Sequence, residues 1–544
     1  MLRLLHILGS FAVLGSSVAT TWPNHIMDEL EHLLVDTDGF NDAGLQKAIT
    51  PCSNYVSGSQ LLGRETAAQW VRVAFHDFAT ADVEAGTGGI DASIGFETLR
   101  PENSGAAMND SLGFFAPFVN AHVSMADMIA LSVVMSVGSC SAPSIHIPLR
   151  GGRVDATEGG LFGVPEPETD IHTTLNQFSQ AGFSQSDAIG LTICGHTLGS
   201  VHHAGFPQVV PESAVTPNNT GGGIHFDATP DVFDVDVLNE YLEWKGQRGG
   251  PLVTTENITV RSDLRLYLSD NNATLQGLAE SSSKFISTCV SLLTRMINTT
   301  PESVRLTEII TPNEVKPVNI SLAVDSAGQV RFSGYIRIKS GAVIIRSWAL
   351  SLGFILIACV SHRITWTSRS GASSPAFSTH AIAAQTGNSS MFGTTFYHFF
   401  NTTLDPAQGI SAFKIMVMRS QDQSVQTLEN GREGYPIEDV AVFLPHETTI
   451  ASDGSLSLQA AVLTAADVQN VTAVISAPSP QLGTISPVIA KSVVNFERNG
   501  VRGLYTLFTA TIPGVPNLRQ TTLDLTAHGR GSLVYRDEFR RIAF

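Results

Sequence analysis

The chain contains 544 residues, more than one ordinary domain requires, and this length predicts two or three domains. Hydrophobic residues make up 43% of it and charged residues 15%, so it has enough apolar side chains for buried cores and too few charges for a disordered chain. Its net charge of -17 and its lack of any Lys/Arg-rich run exclude nucleic acids and anionic membranes as expected partners.

Residues 1–19 predict a secretory signal peptide. Arg3 supplies the positive charge, Leu4–Leu14 is mostly apolar, and Ser17-Val18-Ala19 provides small residues for cleavage after Ala19. The alternative is an N-terminal helix of the fold. Sequons for N-glycosylation run from end to end of the chain, at Asn109, Asn218, Asn257, Asn272, Asn298, Asn319, Asn388, Asn401 and Asn470. We therefore expect a secreted, extracellular glycoprotein.

The pattern of the chain changes once. From about residue 25 to 300, apolar residues recur at helical spacing between long loops. Ser184 and Asp187, for example, resemble a capping box before an apolar helix over Ala188–Val201. After about residue 300, short β-branched and aromatic segments such as Ala412–Met418 and Leu504–Ile512 alternate with turn residues. We predict a mainly α-helical domain followed by an all-β region, either one β-sandwich or two small ones.

One apolar segment, Ile344–Val360, interrupts this β-type sequence. Apart from Arg346 it is apolar, but its uncharged core is short for a membrane span. A buried helix or strand pair is the simplest interpretation. A retained intron in the gene sequence is a second hypothesis, which sequencing of the transcript tests.

A helix is predicted over Arg64–Phe78, and it places Arg72 and His76 four residues apart on one face. An imidazole and a guanidinium together suit cleavage of a peroxide bond. The imidazole takes the proton from one peroxide oxygen and gives it to the other, and the cation stabilises the negative charge on the oxygen that leaves. Taken alone, such a pair is more often a solvated helix face.

A second histidine, His196, lies in Leu191-Thr192-Ile193-Cys194-Gly195-His196-Thr197-Leu198-Gly199. Ile189, Ile193 and His196 share a helical face, so the imidazole emerges from an apolar surface towards the core. Taken alone, it is more often a satisfied core histidine.

Together these segments resemble the plant, fungal and bacterial haem peroxidase superfamily, in which Arg-x-x-Phe-His-Asp marks the distal helix. Gly152-Arg153-Val154-Asp155-Ala156 and Gly163-Val164-Pro165-Glu166-Pro167 also resemble its core, and the likeness spans roughly Cys52–Ile297. The closest branch is the secreted fungal class II group. The resemblance implies a two-lobed helical domain around haem b. We therefore expect a signal peptide at 1–19, a peroxidase domain at 20–300 and a β-rich accessory region at 301–544, possibly of two subdomains.

The resemblance also implies residue roles. His196 would bind the haem iron and Asp263 would accept the other ring N–H of His196. Phe75 would lie beside the haem. Asn103, in Glu-x5-Asn spacing after Glu97, would accept a proton from one ring nitrogen of His76. Phe226 stands where the cytochrome c and ascorbate peroxidases have Trp, which implies that the second oxidising equivalent is first held on the porphyrin.

Two calcium sites and one disulfide follow from the same resemblance. Hard oxygen ligands would form both calcium sites. The distal ligands would be Asp77, Gly89, Asp91 and Ser93, and the proximal ligands Thr197, Asp227, Thr229, Val232 and Asp234. Of the five cysteines, Cys52 and Cys140 match a class II disulfide, whereas Cys194 and Cys289 fall inside predicted helices and are interpreted as buried thiols.

The chain departs from specialised class II enzymes. Glu65 matches one of the three carboxylates of a manganese peroxidase, but Gln69 and His202 replace the other two, and one carboxylate suits manganese poorly. Leu191 stands where lignin peroxidases carry an oxidising Trp.

The resemblance implies a monomeric peroxidase that reduces hydrogen peroxide and oxidises small phenolic or aromatic donors in one-electron steps, through a ferryl porphyrin-radical intermediate. The β region lies outside the resemblance. It could bind cell-wall polysaccharide or be a structural appendage without a ligand. Two alternatives are an oxidase or catalase-like enzyme, and a haem-binding surface or adhesion protein whose β region carries the function.

Overall fold

The computed structural model describes residues 22–49, 52, 65–339, 362–374, 377–379, 385–418, 425–431 and 433–542. The predicted signal peptide and the apolar segment Ile344–Val360 lie outside the described residues. Within the part of the chain that is described, every helix is too short or too polar to cross a bilayer.

The first part of the chain is helical, as predicted. Its α-helices are α1 (His25–Val35), α2 (Thr66–Phe78), α3 (Ala107–Phe115), α4 (Met125–Ser139), α5 (Ile171–Gln180), α6 (Gln185–Gly195), α7 (Asp236–Leu242), α8 (Pro251–Thr254), α9 (Ser262–Leu268), α10 (Ala273–Leu278) and α11 (Ser282–Asn298). They share one apolar core, to which α4 contributes almost its entire surface.

Sequence signals for the start of a helix were reliable, and one predicted end was not. The Ser184 hydroxyl accepts from the Asp187 amide and the Asp187 carboxylate accepts in return, which completes the predicted capping box of α6. The predicted extension of this helix to Val201 is wrong. Helix α6 ends at Gly195, with His196 as its C-cap, because the chain turns at Gly199 in the left-handed region (φ 85°) and then enters a strand.

The second part of the chain is all-β, again as predicted. The strands of the described residues are β1 (Asp38–Gly39), β2 (Ser200–His202), β3 (Gly223–His225), β4 (Val315–Val324), β5 (Val330–Lys339), β6 (His362–Thr367), β7 (Phe377–Thr379), β8 (Gln385–Ser389), β9 (Gly393–Leu404), β10 (Ala412–Met418), β11 (Val425–Leu428), β12 (Tyr435–Pro436), β13 (Ala441–Phe443), β14 (Thr449–Ile450), β15 (Leu456–Leu463), β16 (Asn470–Ser479), β17 (Val488–Arg502), β18 (Tyr505–Ile512), β19 (Thr522–His528) and β20 (Val534–Arg541).

The β region contains a sandwich and a curled sheet. One sheet has the order β1-β8-β9-β5-β4 and packs its inner face on the sheet β11-β10-β6-β7. Rings of Phe332 and Phe413 meet across this sandwich, with centroids 5.3 Å apart. A third sheet has the order β13-β15-β18-β17-β16-β19-β20, with β14 paired to β15, and it curls until β13 contacts β20. Closure of this kind protects sheet edges from other chains.

The N-terminal segment joins the two regions, which the sequence did not reveal. Strand β1 pairs with β8, so residues before the peroxidase-like segment complete a sheet of the β region. Beside it, Arg337 donates to Glu31 (2.5 Å) and Asp36 (3.3 Å) of the α1 segment, and all three side chains are buried. Burial raises the pKa of Glu31, but the charges of Lys316 and Arg337 outweigh it and hold that pKa below its usual value.

Two disulfides cross-link the helical region. The bridge predicted from the resemblance, Cys52–Cys140, is present. The interpretation of Cys194 and Cys289 as buried thiols is wrong, because they form a second bridge with Cα atoms 5.4 Å apart. Both residues are helical, as predicted. However, α6 and α11 pack side by side, so the two buried sulfur atoms meet.

Candidate active site

A deep cleft separates α2 from the C-terminal end of α6. Its volume is about 1640 Å³ including the open mouth, and most of its lining is apolar. Arg72, Phe75 and His76 of α2 line it, and so do His196 and Phe226. The two histidines that sequence reasoning selected, 120 positions apart in the chain, therefore line one cavity.

The tautomer of His76 is fixed by its neighbours. Asn103 Nδ2 donates to the carbonyl of Glu97 (3.0 Å), so Asn103 presents Oδ1 to His76 Nδ1 at 2.7 Å. Nδ1 must then carry the proton and His76 Nε2 keeps its lone pair. Arg72 Nε donates to the same Nε2 (3.3 Å), which requires the same tautomer.

His76 is held neutral as well as oriented. Burial first, and then the positive charge of Arg72, lower the pKa of His76 to about 3. The imidazole is therefore a neutral base across the physiological range. Arg72 is itself held in place, because its Nη2 donates to the Ser104 carbonyl (2.9 Å) and its guanidinium lies 5.5 Å from the centre of the Phe206 ring. Sequence reasoning missed both contacts, since a backbone carbonyl and a distant ring leave no motif.

The proximal histidine has the complementary arrangement. His196 Nδ1 lies 2.8 Å from Asp263 Oδ2, and that carboxylate is buried. With Nδ1 donating to Asp263, His196 Nε2 is the nitrogen that can bind a metal from the cavity. Phe226 stacks on the imidazole, with ring centroids 4.0 Å apart and an angle of 7°. Tyr267 also lies near this carboxylate. Burial and the charge of Asp263 raise the pKa of Tyr267 well above its ordinary value.

Glu97 is buried but does not line the cleft. Its carboxylate accepts from the Gly160 amide (2.6 Å) and pairs with Arg100, and only its backbone carbonyl reaches Asn103. Burial raises the pKa of Glu97. The side chain therefore anchors the loop that carries the carbonyl.

The residues suggested as distal calcium ligands cluster behind α2. Asp77 is fully buried and accepts from the amides of Asp91 (3.1 Å), Ala92 (2.9 Å) and Ile94 (3.0 Å). The Ser93 hydroxyl lies 3.4 Å from the same carboxylate. Burial and the charge of Asp91 raise the pKa of Asp77 well above its usual value. Asp77 and Asp91 are adjacent buried carboxylates without a basic partner among the described residues, and a bound cation would neutralise them.

Gly89, also suggested at this site, has φ 93° and a backbone packed against Thr299, where a Cβ would lie 2.4 Å from the carbonyl oxygen. Only glycine fits there, so its backbone can approach the site.

The suggested proximal ligands form a second cluster beside His196. Asp227 Oδ1 accepts from the Thr229 amide (2.9 Å), and the Thr229 hydroxyl lies 3.2 Å from Asp234 Oδ2. Asp227 Oδ2 is buried without a hydrogen-bond partner among the described residues. Burial, followed by the charge of Asp234, raises the pKa of Asp227 to about 7. The orphaned oxygen fits a cation.

The Thr197 hydroxyl donates to the Cys194 carbonyl (3.0 Å), and Val232 closes a turn on Thr229. In the described part of the chain, no three His, Cys, Asp or Glu side chains come together as a metal site. Each calcium site would therefore need hydroxyl and carbonyl oxygens besides its two carboxylates.

Glu65 lies at the cleft wall near the two residues that replace the manganese carboxylates. Its Oε2 accepts from the Ser200 hydroxyl (3.2 Å), and burial raises the pKa of Glu65 to about 7. Gln69 and His202 also line the cleft. Of these three positions, only Glu65 can carry a negative charge.

Comparisons with known proteins agree with this geometry. Residues 53–283 match the family model described as Peroxidase. A "WSC domain-containing protein" of Arthroderma benhamiae is 41% identical over 346 residues, which cover 62% of this chain and 46% of that protein. "L-ascorbate peroxidase 5, peroxisomal" of Arabidopsis thaliana is 34% identical over 26% of this chain and 50% of that protein.

"Manganese peroxidase 2" of Phlebia radiata is 29% identical over 35% of this chain and 48% of that protein. The matched segments thus span about half the length of these relatives or less.

Proposed function

Residues 53–283 form a peroxidase domain of the haem peroxidase superfamily, and from that premise we propose that this chain is a secreted enzyme that reduces hydrogen peroxide and oxidises small phenolic or aromatic donors by single electrons. One observation carries the proposal. Two imidazoles line the same cleft, and an acceptor on each Nδ1 leaves both Nε2 atoms able to act there.

A haem b in this cleft would supply a redox-active iron that peroxide oxidises and donors reduce again. His196 would hold it through Nε2. Asp263, by accepting the Nδ1 proton, makes that imidazole a stronger electron donor. Phe226 stacks flat on the same imidazole and limits rotation of its ring.

His76 acts as the general base and then as the general acid. Its Nε2 takes the proton from one oxygen of hydrogen peroxide and delivers it to the other oxygen, which leaves as water. Arg72 stabilises the negative charge that develops on that leaving oxygen. Asn103 keeps the reactive nitrogen basic by binding the other one. Phe75 forms part of the wall that excludes water beside these groups.

Two calcium ions would fix the helices that carry the histidines. Asp77 follows His76 directly and Thr197 follows His196 directly, so a cation bound at either cluster restrains the adjacent imidazole. The buried like-charged carboxylates behind α2 and the orphaned oxygen of Asp227 support this proposal.

Small organic donors are favoured over a metal ion as the reductant. Glu65, Gln69 and His202 offer one carboxylate where manganese would need three, and burial favours the neutral form of that carboxylate. Phenols and aromatic amines need no charged site, and a mostly apolar cleft with an open mouth suits them.

A second function has one observation in its favour. The β region lies beyond the peroxidase match, and one relative is named for a WSC domain rather than for an enzyme. The β region would then attach the protein to a surface such as cell-wall polysaccharide, and the haem domain would bind haem without turnover.

One experiment separates the enzyme from the surface-attachment protein. Protein secreted from a glycosylating host is assayed with hydrogen peroxide and a chromogenic phenol, alongside His76→Ala and the matched control His172→Ala on the exposed face of α5. We expect turnover in wild type and control, and a loss of 10²–10⁴-fold in His76→Ala at unchanged haem content. Haem incorporation without turnover in the wild type would support the second function.

A further inference from the structure

One face of the first β-sandwich sheet is only half covered. On the outward side of β5 and β9, Arg337 and Tyr397 lie under the α1 segment and are buried. Further along the same two strands, Tyr335 and Phe399 form a directly opposed pair. The Phe399 ring remains 52% exposed.

Exposed Phe399 is continuous with two half-buried aromatic rings. Phe399 lies 5.2 Å from Tyr335, and Tyr335 lies 4.9 Å from Phe40, between ring centroids. We call Phe40, Tyr335 and Phe399 the aromatic shelf. An exposed phenylalanine on a sheet face leaves apolar surface in water, and covering it is favourable.

The partner is indicated by the residue two positions after Phe399. Asn401 points from the same side of β9, since alternate residues of a strand share a face, and it lies roughly 7 Å further along. It begins the sequon Asn401-Thr402-Thr403 and its side chain is exposed. Opposite it on β5 is the small residue Ser333, whose side chain is too short to cover Asn401.

We propose that Asn401 carries an N-linked glycan whose first sugar packs on the aromatic shelf. The proposal rests on the secretory route in the proposed function. In the glycosylating compartment of that route, the Asn401 amide nitrogen attacks the anomeric carbon of a lipid-linked oligosaccharide diphosphate. An N–C bond forms, the sugar–phosphate bond breaks, and the amide loses one proton.

The chemistry of the two surfaces is complementary. One face of a pyranose ring presents C–H bonds, and an aromatic face carries the negative part of the ring quadrupole. Covering Phe399 with this face removes apolar surface from water, while the sugar hydroxyls stay solvated at the rim.

Other sequons lack this arrangement. Among the nine in the chain, Asn401 alone has an aromatic residue two positions before it. Several others already use the amide in the fold: Asn272 accepts from Tyr241, and Asn319 donates to Asn41. Asn470 is exposed at the start of β16 but follows Val468, so it offers a matched sequon without the shelf.

Glycopeptide mass spectrometry of the full secreted chain, combined with hydroxyl-radical footprinting, tests the proposal. We expect Asn401 to be occupied and Phe399 to be protected from oxidation. Trimming with an endoglycosidase that leaves one sugar should preserve the protection. Removal of the whole glycan with an amidase should increase Phe399 oxidation several-fold.

Two variants provide the control. Asn401→Gln should expose Phe399 to oxidation and lower the unfolding midpoint by roughly 2–4 °C, the shift typical of losing one modest contact in a domain of this size. Asn470→Gln should change neither. An empty Asn401 beside occupied Asn109 or Asn470 would overturn the proposal and leave secretion standing. An occupied Asn401 with no change in Phe399 oxidation on deglycosylation would also overturn it. A secreted chain without any glycan would contradict the glycosylating route itself, and peroxidase turnover would remain separately measurable.

Discussion

The acid limit of the reaction with peroxide should lie far below the ordinary pKa of histidine. Burial and Arg72 lower the pKa of His76 to about 3, and the difference from 6.5 corresponds to roughly 5 kcal/mol against protonation in the cleft. Only the neutral imidazole accepts the peroxide proton. The second-order rate constant should therefore stay level from pH 8 to about pH 4 and fall as the pH drops through 3.

Stopped-flow absorbance of the haem band after mixing with peroxide measures this rate. Replacing Arg72 with leucine removes the second cause of the low pKa, so the acid limb should move to higher pH while the rate itself falls. His76→Ala should be slow and lack the acid limb. A wild-type limb near pH 6.5, or the same limb in His76→Ala, would refute the assignment of His76 as the base.

Three further outcomes follow from the contacts described. Asp263→Asn keeps the size of the residue that pairs with His196 but removes its negative charge. The reduction potential of the haem iron should therefore rise in a spectroelectrochemical titration. An unchanged potential would contradict the role given to the Asp263 carboxylate. Chelation of calcium should lower the unfolding temperature in calorimetry, and added calcium should restore it, because a cation at 100 times its Kd stabilises the fold by about 2.7 kcal/mol. Identical melting curves with and without chelator would refute both proposed calcium sites, including the one at Asp227. Arg337→Met removes one of the two cations that pair with buried Glu31, the other being Lys316, and should cost about 3 kcal/mol in chemical denaturation. Arg331→Met at an exposed pair should have no detectable effect, and equal curves for the two variants would show that the buried contact does not join the two regions.

The local chemistry of the site could be predicted because it follows short-range rules. Four-residue spacing put Arg72 and His76 on one helix face, and the motif around His196 put the second imidazole at a helix end. The pairing of His76 with Asn103 and of His196 with Asp263 came from resemblance rather than from spacing, and both appear as hydrogen bonds.

The long-range features could not be predicted, for physical reasons. The Cys194–Cys289 bridge depends on which faces of α6 and α11 meet, and helix periodicity does not specify that. The pairing of β1 with β8 joins a two-residue strand to a partner about 350 positions away, with no hydrophobic alternation to mark it. In the sequence, Arg337 is one polar residue of a strand, and only the structure shows that Glu31 lies beside it.

Absorption-monitored titration with haemin tests whether the cleft holds a haem on His196. The wild type and His172→Gly should bind one haem per chain with the spectrum of an axial histidine and should change spectrum with one equivalent of peroxide. His196→Gly should lose that spectrum, and added imidazole should restore it. Unaltered haem binding and an unaltered spectrum in His196→Gly would contradict the account.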